Sequence, residues 1–228
     1  MSKFTISALA ALATVATAAP NVVAYYGQGF NQSRLSYYCQ NSAIDIIPIG
    51  FVNVFPDQEG TYGYPGTNFG NQCGGSWIDP EGHETQMFAS CSQLAEDIPI
   101  CQAAGKKIFI SLGGDAPGNY IKDDASAVDF ADYMWATFGP MPSTADGQPY
   151  TGARPFGAAV VDGFDFDIET LVESIPQGAT IDGHYGTMIN QLRSHFQGKP
   201  YYISGAPQCN VPDVHLSQAL QTSYFDYL

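Results

Sequence analysis

Positive charge is scarce in this chain of 228 residues, which has 8 lysines and arginines against 22 aspartates and glutamates and a formal net charge of −14. Such a surface repels nucleic acid and anionic membranes, so both are excluded as partners, whereas an uncharged ligand is not. Charged residues make up only 13% of the chain and hydrophobic residues 45%, which excludes a disordered chain and allows a sizeable core. The length predicts one domain.

Long hydrophobic runs are also rare, and the one that stands out is at the N-terminus. Lys3 precedes an apolar segment from Ile6 to Val15, and Ala16, Thr17 and Ala18 offer small residues for cleavage. This pattern is typical of a secretory signal peptide and is too short to span a membrane stably. We therefore predict a signal peptide over residues 1–19, an extracellular protein and no membrane span in the remaining chain.

Cysteine is infrequent and odd in number, with Cys39, Cys73, Cys91, Cys101 and Cys209. Secretion permits disulfide bonds, so a five-cysteine chain leaves one thiol that requires an explanation.

Short apolar segments separated by polar connections predict strands. The five segments and the start of a sixth are residues 21–27, 43–55, 106–114, 158–169, 199–207 and 224–228. Pro48 indicates that the second strand begins after it. Helical patterns over residues 99–105, 123–138 and 184–198 fall between the strands, so we predict parallel strands and an α/β fold. The glycine-rich segment from residue 56 to 77 predicts a loop without regular structure, held by a disulfide.

The segment VDGFDFDIET, residues 161–170, places carboxylates in a stretch that otherwise has the character of a buried strand. Because alternate residues of a strand face opposite sides, Asp165, Asp167 and Glu169 share one face, about 6–7 Å apart at each step. The residues between them are apolar and belong beneath helices, and the preceding AAVV indicates burial on both sides. We therefore expect the acidic face inside a closed barrel, near the strand ends where barrel enzymes have their active sites.

Three interpretations of this acidic face remain open on the spacing alone. Mutual repulsion and burial would keep some of the carboxyl groups protonated near neutral pH, and Glu169 would then be a general acid for glycosidic bonds. The D-x-D-x-E pattern also supplies the oxygen ligands of a divalent metal site. The third interpretation is structural, with carboxylates bound to the backbone.

The motifs resemble those of a known family. DGFDFDIE, residues 162–169, resembles the D-G-x-D-x-D-x-E signature of glycoside hydrolase family 18, the chitinases, and SLGG, residues 111–114, matches its S-x-G-G on the preceding strand. AYYGQG, AAGKKIFISLGG and YYISGAPQC are similar to the class III, hevamine-like branch of plants and fungi. The resemblance implies a (β/α)₈ TIM barrel that hydrolyses β-1,4 bonds between N-acetylglucosamine units of chitin or chitooligosaccharides with retention.

The resemblance also implies a role for each acid. Catalysis would be substrate-assisted, which departs from the two-carboxylate scheme because the acetamido oxygen of the substrate attacks the anomeric carbon. Glu169 would protonate the leaving oxygen, Asp167 would orient the acetamido group, and Asp165 would share a proton with Asp167. Neither a metal nor another cofactor is required, and a monomer is expected.

Other positions follow from the same resemblance. The implied substrate-binding residues are Tyr25, Gln28, Phe51, Gly113, Gly114 and Gln208, although plain packing explains each of them equally well. The implied disulfides are Cys39–Cys101 and Cys73–Cys91, with Cys209 unpaired. We expect Trp135 in the core, leave Trp77 undecided, and expect the four histidines at the surface. Asn31 begins an N-glycosylation sequon.

The chain departs from the family in its number of strands. We count about six of the eight, so residues 20–228 are expected to form a catalytic barrel whose C-terminal part, with the partner of Cys209, is missing. An open sheet exposes unpaired backbone groups, so impaired catalysis is expected from the isolated chain. Two alternatives to a chitinase remain: a non-catalytic, lectin-like chitin-binding barrel and an endo-β-N-acetylglucosaminidase.

Overall fold

The computed structural model describes residues 21–143 and 150–228, so the predicted signal peptide lies outside the described residues. The elements in chain order are α1 (Leu35–Tyr38), β1 (Ile46–Val52), β2 (Gly74–Ile78), β3 (Glu84–Ser90), α2 (Ser92–Ala103), β4 (Lys107–Gly114), α3 (Asp124–Phe138), β5 (Gly163–Ile168), α4 (Tyr185–Ser194), β6 (Tyr202–Gly205) and α5 (Ser217–Thr222). Among these helices, none combines the length and hydrophobicity needed to cross a bilayer.

The main sheet is parallel and has the order β1-β4-β5-β6. The predicted first and last strands flank it in the expected places, but only through isolated parallel bridges, Val23 and Tyr26 to β1 and Tyr227 to Ser204 of β6. Six segments therefore lie side by side in chain order, with helices between them. This is the arrangement of consecutive strands in a (β/α)₈ barrel, here incomplete.

The prediction that the second strand begins after Pro48 is wrong, because Pro48 lies inside β1. The amides of Ile46 and Gly50 donate to Val22 (3.2 Å) and Tyr26 (2.8 Å) of the N-terminal segment. Pro48 occupies the alternate position between them and has no amide hydrogen to donate, although its carbonyl still accepts from Tyr26 (2.9 Å). One missing bond on this side of β1 is compatible with a strand, and it interrupts the pairing of the N-terminal segment.

The three longer helices match the predicted positions only in part. Asp123 caps α3 by accepting from the amide of Ser126 at 2.8 Å, as expected for the start of that helix. The prediction that α2 begins at Pro99 is wrong, because the helix already starts at Ser92 and contains Pro99 in its interior. The apolar face of β5, including Phe164 and Phe166, is fully buried in one cluster with residues of α3 and α4.

The segment between β1 and α2 contains an antiparallel hairpin of β2 and β3, which the loop prediction missed. The available signal in the sequence was the alternation of Glu84 and Gln86 with Thr85 and Met87. In the structure Thr85 and Met87 are buried and the residues beside them are not. A disulfide between Cys73 and Cys91, with Cα atoms 4.2 Å apart, closes the base of the hairpin.

A second disulfide joins the short helix α1 to α2. It links Cys39 to Cys101 across 62 residues of sequence, with Cα atoms 5.2 Å apart. Both bridges are the pairs implied by the family resemblance. Cys209 is a free, exposed cysteine in the loop after β6.

Candidate active site

The three acidic residues of the motif follow one another along β5 and just beyond it. Asp165 pairs in register with Ser111 of β4 and Asp167 with Gly113, while Ile168 is the last paired residue of the strand. Glu169 therefore lies one residue past the end of the sheet. Asp165 is 2% exposed, and Asp167 and Glu169 are partly buried. Asp165 is thus more deeply buried than Asp167 and Glu169.

Asp165 is held by three hydroxyl groups. Its Oδ2 accepts from Tyr25 (2.8 Å) and Ser111 (2.7 Å), and its Oδ1 accepts from Ser204 of β6 (2.5 Å). Burial raises the pKa of Asp165, and the three hydroxyl donors oppose that shift. The sequence interpretation missed Ser204, because only the register of β6 against β5 places it opposite Asp165.

Tyr25 is the donor that comes from the N-terminal segment. Tyr25 as a whole is 44% exposed, while its hydroxyl donates inward to Asp165. Desolvation of the hydroxyl, followed by the nearby charge of Asp165, raises the pKa of Tyr25 above its usual range. Tyr25 therefore stays protonated and remains a hydrogen-bond donor.

Asp167 lies between the two other acids and titrates near neutrality. Desolvation is the main cause, and the charges of Asp165 and Glu169 add to it, so that the pKa of Asp167 is raised from 3.8 to about 7. A carboxyl group with this pKa exchanges a proton readily at the pH at which most enzymes work. Asp167 is therefore suited to gain or lose a proton when the charge of a neighbouring group changes.

A pocket of about 400 Å³ opens beside Glu169 at the C-terminal ends of β1, β4 and β5. Its lining residues are Gln28, Phe51, Asn53, Asn68, Gly113, Gly114, Asp115, Ala116 and Glu169. The pocket thus brings together Glu169 and four of the six predicted substrate-binding residues. Asn53, Asn68, Asp115 and Ala116 were missed, although Asn53 and Asp115 directly follow strands β1 and β4.

The two glycines after Leu112 are required by close approaches. Gly113 has φ of +107°, and a Cβ there would lie 2.3 Å from the carbonyl oxygen of Asp167. Gly114 has φ of +68°, and a Cβ there would meet the ring of Phe51 at 3.0 Å. Both positions therefore need glycine for the backbone of β5 and the ring of Phe51 to reach their places.

Gln28, in the lining of the pocket, connects the chain segments around it. Its Nε2 donates to the carbonyls of Gly50 (2.9 Å) and Asn68 (2.7 Å), which joins the N-terminal segment to β1 and to the following loop. The rings of Tyr25 and Phe51 lie 6.0 Å apart between their centroids. These contacts hold Gln28 and Phe51 in the wall of the pocket.

Gln208, the sixth predicted binding residue, does not line the pocket beside Glu169. It is exposed in the loop after β6, where its backbone amide donates to Asp213 Oδ2 at 2.7 Å. Gln208 borders a separate, mostly apolar depression of about 330 Å³ between that loop and α5. The structure therefore gives its predicted sugar contact no support.

Asp162, the first aspartate of the motif, has a structural place at the opposite end of β5. Its Oδ2 accepts from the amide of Ile108 (3.0 Å) and from Gln102 (2.8 Å), and its Oδ1 from Lys199 (2.6 Å). Asp162 thus connects β4, α2 and the start of β6 without contributing to the pocket.

The prediction that all four histidines lie at the surface is wrong. His215 is 3% exposed, and its Nε2 lies 2.8 Å from the carbonyl oxygen of Thr170. His83 contacts Asp79 in the turn of the hairpin, where Glu81 completes a group with ligand atoms within 4.8 Å of one another. Asp79 is buried whereas Glu81 and His83 are exposed, and none of the three lines the pocket beside Glu169.

The two tryptophans belong to packing. Trp135 is partly buried, packs against Phe164 and stacks on His195, with 5.6 Å between ring centroids. Trp77 lies in β2 and meets Tyr64 edge-on at 5.1 Å. Asn31 is exposed, as the sequon prediction requires.

Carboxylates at the C-terminal end of a parallel strand, beside a pocket, have the arrangement of an active site in a barrel enzyme. The chain matches the family described as glycosyl hydrolases family 18 over residues 21–228. It therefore belongs to glycosyl hydrolases family 18.

Similar proteins agree with this assignment. Endochitinase A of Aspergillus niger is 52% identical over 219 residues, which cover 93% of this chain and 16% of that protein. The chitinase ICChI of Ipomoea carnea has a similar structure, with a TM-score of 0.68, 30% identity and coverage of 91% of this chain and 65% of that chain. The xylanase and alpha-amylase inhibitor protein XAIP-II of Scadoxus multiflorus has a TM-score of 0.65, 27% identity and coverage of 89% and 62%. This chain thus spans about a sixth of the length of the first relative.

Proposed function

We propose that this chain forms the catalytic part of an endochitinase, which hydrolyses β-1,4 bonds between N-acetylglucosamine units by substrate-assisted, retaining catalysis. The observation that carries the proposal is Glu169 on the pocket wall, one residue past the end of β5, next to Asp167 with a pKa of about 7. Membership of the family supports the reaction class. The pocket of about 400 Å³ is compatible with a sugar unit.

The first step breaks the glycosidic bond. The carbonyl oxygen of the substrate's acetamido group attacks the anomeric carbon, and the bonding electrons leave with the glycosidic oxygen, which takes a proton from Glu169. The product is an oxazolinium ion with a positive charge. Asp167 lies between Glu169 and Asp165, and its carboxylate would orient the acetamido group and stabilise this charge.

The second step consumes water. A water molecule attacks the anomeric carbon, Glu169 takes its proton, and the acetamido group is regenerated, so the configuration is retained. Asp165 would tune Asp167, because its own charge is among the causes of the raised pKa of Asp167. When positive charge develops in the sugar, Asp167 would release its proton toward Asp165, which three hydroxyl groups hold in place.

The decisive experiment replaces Glu169 by glutamine in protein expressed from its complete gene. Loss of a general acid predicts a fall in kcat of about 10²- to 10⁴-fold on chitooligosaccharides, with little change in binding. Glu173→Gln is the matched control, because Glu173 is exposed in the 3₁₀ turn four residues further on. Equal turnover by Glu169→Gln and the unmodified protein would refute the proposal.

A second measurement separates the proposal from its alternatives. Substrate assistance requires the acetamido group, so an oligomer without N-acetyl groups should not be cleaved, although it has the same glycosidic bonds. A lectin-like barrel would bind chitooligosaccharides and release no product. An endo-β-N-acetylglucosaminidase would instead cleave high-mannose glycopeptides in preference to chitin oligomers.

We further propose that the protein is extracellular and monomeric, with residues 1–19 as signal peptide and residues 20–228 within one catalytic domain. The N-terminal apolar segment and the two disulfides support secretion, because disulfides persist in oxidising compartments. N-terminal sequencing and the intact mass of protein from culture medium test this. A retained N-terminus or a purely intracellular protein would contradict it.

A further inference from the structure

The backbone that carries Glu169 is fixed beyond the sheet by Thr170. Pairing of β5 with β4 ends at Ile168, so the sheet does not hold Glu169 directly. Among the residues that the structure describes, no hydrogen bond is made to the Glu169 carboxylate by another protein group. The direction of this side chain therefore depends on the backbone on either side of it.

Thr170 is 1% exposed and makes two hydrogen bonds to neighbouring loops. Its hydroxyl donates to the carbonyl of Ala116, which lines the pocket, at 2.9 Å. Its own carbonyl lies 2.8 Å from Nε2 of His215, which comes from the loop after β6. Thr170 thus connects the loops after three successive strands of the sheet directly behind the pocket.

The tautomer of His215 follows from this contact. A carbonyl oxygen can only accept, so Nε2 must carry the hydrogen and donate it to Thr170. The other ring nitrogen, Nδ1, is buried without a hydrogen-bond partner among the described residues. The imidazole therefore makes one hydrogen bond, as a donor through Nε2. The proposed reaction does not use it for proton transfer.

The loop that carries His215 is itself held in one conformation. Asp213, which is buried, accepts through Oδ1 from the amides of His215 (2.9 Å) and Leu216 (2.6 Å). Its Oδ2 accepts from the amide of Gln208. A buried carboxylate that accepts from three backbone amides fixes the conformation of the loop. The position of the His215 ring relative to Thr170 is fixed with it.

We infer that His215 is a positioning residue for Glu169, which it holds in its catalytic direction through the carbonyl of Thr170. This inference rests on the proposed function, because it assigns Glu169 the role of general acid. Displacement of a catalytic group by about 1 Å costs on the order of 100-fold in rate. His215→Ala should accordingly lower kcat about 10- to 100-fold and change KM less than about threefold.

Two further variants distinguish positioning from general stability. His215→Gln offers an amide hydrogen at the place of Nε2 and should recover most of the lost kcat, and Thr170→Val removes the bond to Ala116 and should lower kcat in the same manner. Leu192→Ala is the control, because Leu192 is fully buried in α4 and takes no part in the pocket. It should lower the melting temperature and leave kcat unchanged below it.

The test combines kinetics on chitooligosaccharides with a crystal structure of His215→Ala. A Glu169 carboxyl group displaced by about 1 Å or more would support the inference, whether or not the unmodified protein turns over substrate. A Glu169 that stays in place would overturn it, as would unchanged kcat in His215→Ala. If the unmodified protein shows no turnover but Glu169 moves, the proposed function fails and the positioning contact stands. If His215→Ala does not fold, the same measurements on His215→Phe, which keeps an aromatic ring and removes the Nε2 donor to Thr170, decide the matter.

Discussion

Replacement of Asp167 by asparagine should stabilise the protein, and only at high pH. The folded state raises the pKa of Asp167 from 3.8 to about 7, mainly by desolvation and then by the neighbouring acids. The fold therefore binds this proton more tightly than the unfolded chain does. Below about pH 4 both states are protonated and nothing is lost, whereas stability falls as the pH rises from about 4 to about 7.

The size of the effect follows from the same values. The interval between 3.8 and about 7 corresponds to about 4 kcal/mol for a fully desolvated group. Asp167 is only partly buried, so solvent screening reduces this to about 2 kcal/mol. Asparagine carries no charge, so Asp167→Asn should gain about 2 kcal/mol at pH 8 and close to nothing at pH 4. In a domain of this size the gain corresponds to a rise in melting temperature of about 4–8 °C.

The assay is thermal unfolding of Asp167→Asn and the unmodified protein at pH 4, 6 and 8. The difference between the two proteins at each pH cancels the contributions of all other carboxyl groups. Asp129→Asn, at an exposed position of α3, controls for the removal of one negative charge from a protein of net charge −14. A gain from Asp167→Asn that is the same at pH 4 and pH 8 would refute the reasoning, and so would a loss at pH 8.

Two further predictions concern the framework around the site. The bridge between Cys39 and Cys101 closes 62 residues, so replacing both cysteines by alanine should lower the free energy of unfolding by about 4 kcal/mol, measured by urea titration; no change in midpoint would contradict this. Gly113→Ala should cost about 3 kcal/mol or more, or prevent folding, because its Cβ would collide with a backbone carbonyl. Gly60→Ala is the control, since its φ is also positive and no atom lies within 4 Å of its added Cβ; an equal cost at both glycines would show that the collision is unimportant.

Much of this arrangement could be predicted from the sequence. The alternation in DFDIE places the acids on one face of β5 because a strand repeats every two residues, and the apolar residues between them are buried beneath helices. The parallel order of the sheet followed from strands that alternate with helices. The acidic face itself was recognisable because buried carboxylates are costly and rarely occur without a function.

Other features depend on contacts that a linear pattern does not reveal. Ser204 has an ordinary place in an apolar strand, and only its register opposite Asp165 gives it a partner. His215 has no spacing typical of a functional histidine, because its partner is a backbone carbonyl 45 residues away. The prediction for Pro48 failed because proline disfavours a strand by lacking one backbone hydrogen-bond donor. In β1 that missing donor affects only the pairing with the N-terminal segment, and the pairing with β4 is intact.

The interrupted pairing at Pro48 has a consequence for local opening. Tyr25, which holds Asp165, lies on the N-terminal segment, and the backbone of that segment pairs with β1 only through isolated bridges. A segment with fewer ladder bonds opens at lower free energy than the strands beside it, without unfolding of the whole domain. Each such opening would withdraw the Tyr25 hydroxyl and leave the buried acid with two serine donors. The amide hydrogens of Ala24 and Tyr26 would then exchange with solvent before those in β4. Local opening would thus break the hydrogen bond from Tyr25 to Asp165 while the sheet remains folded.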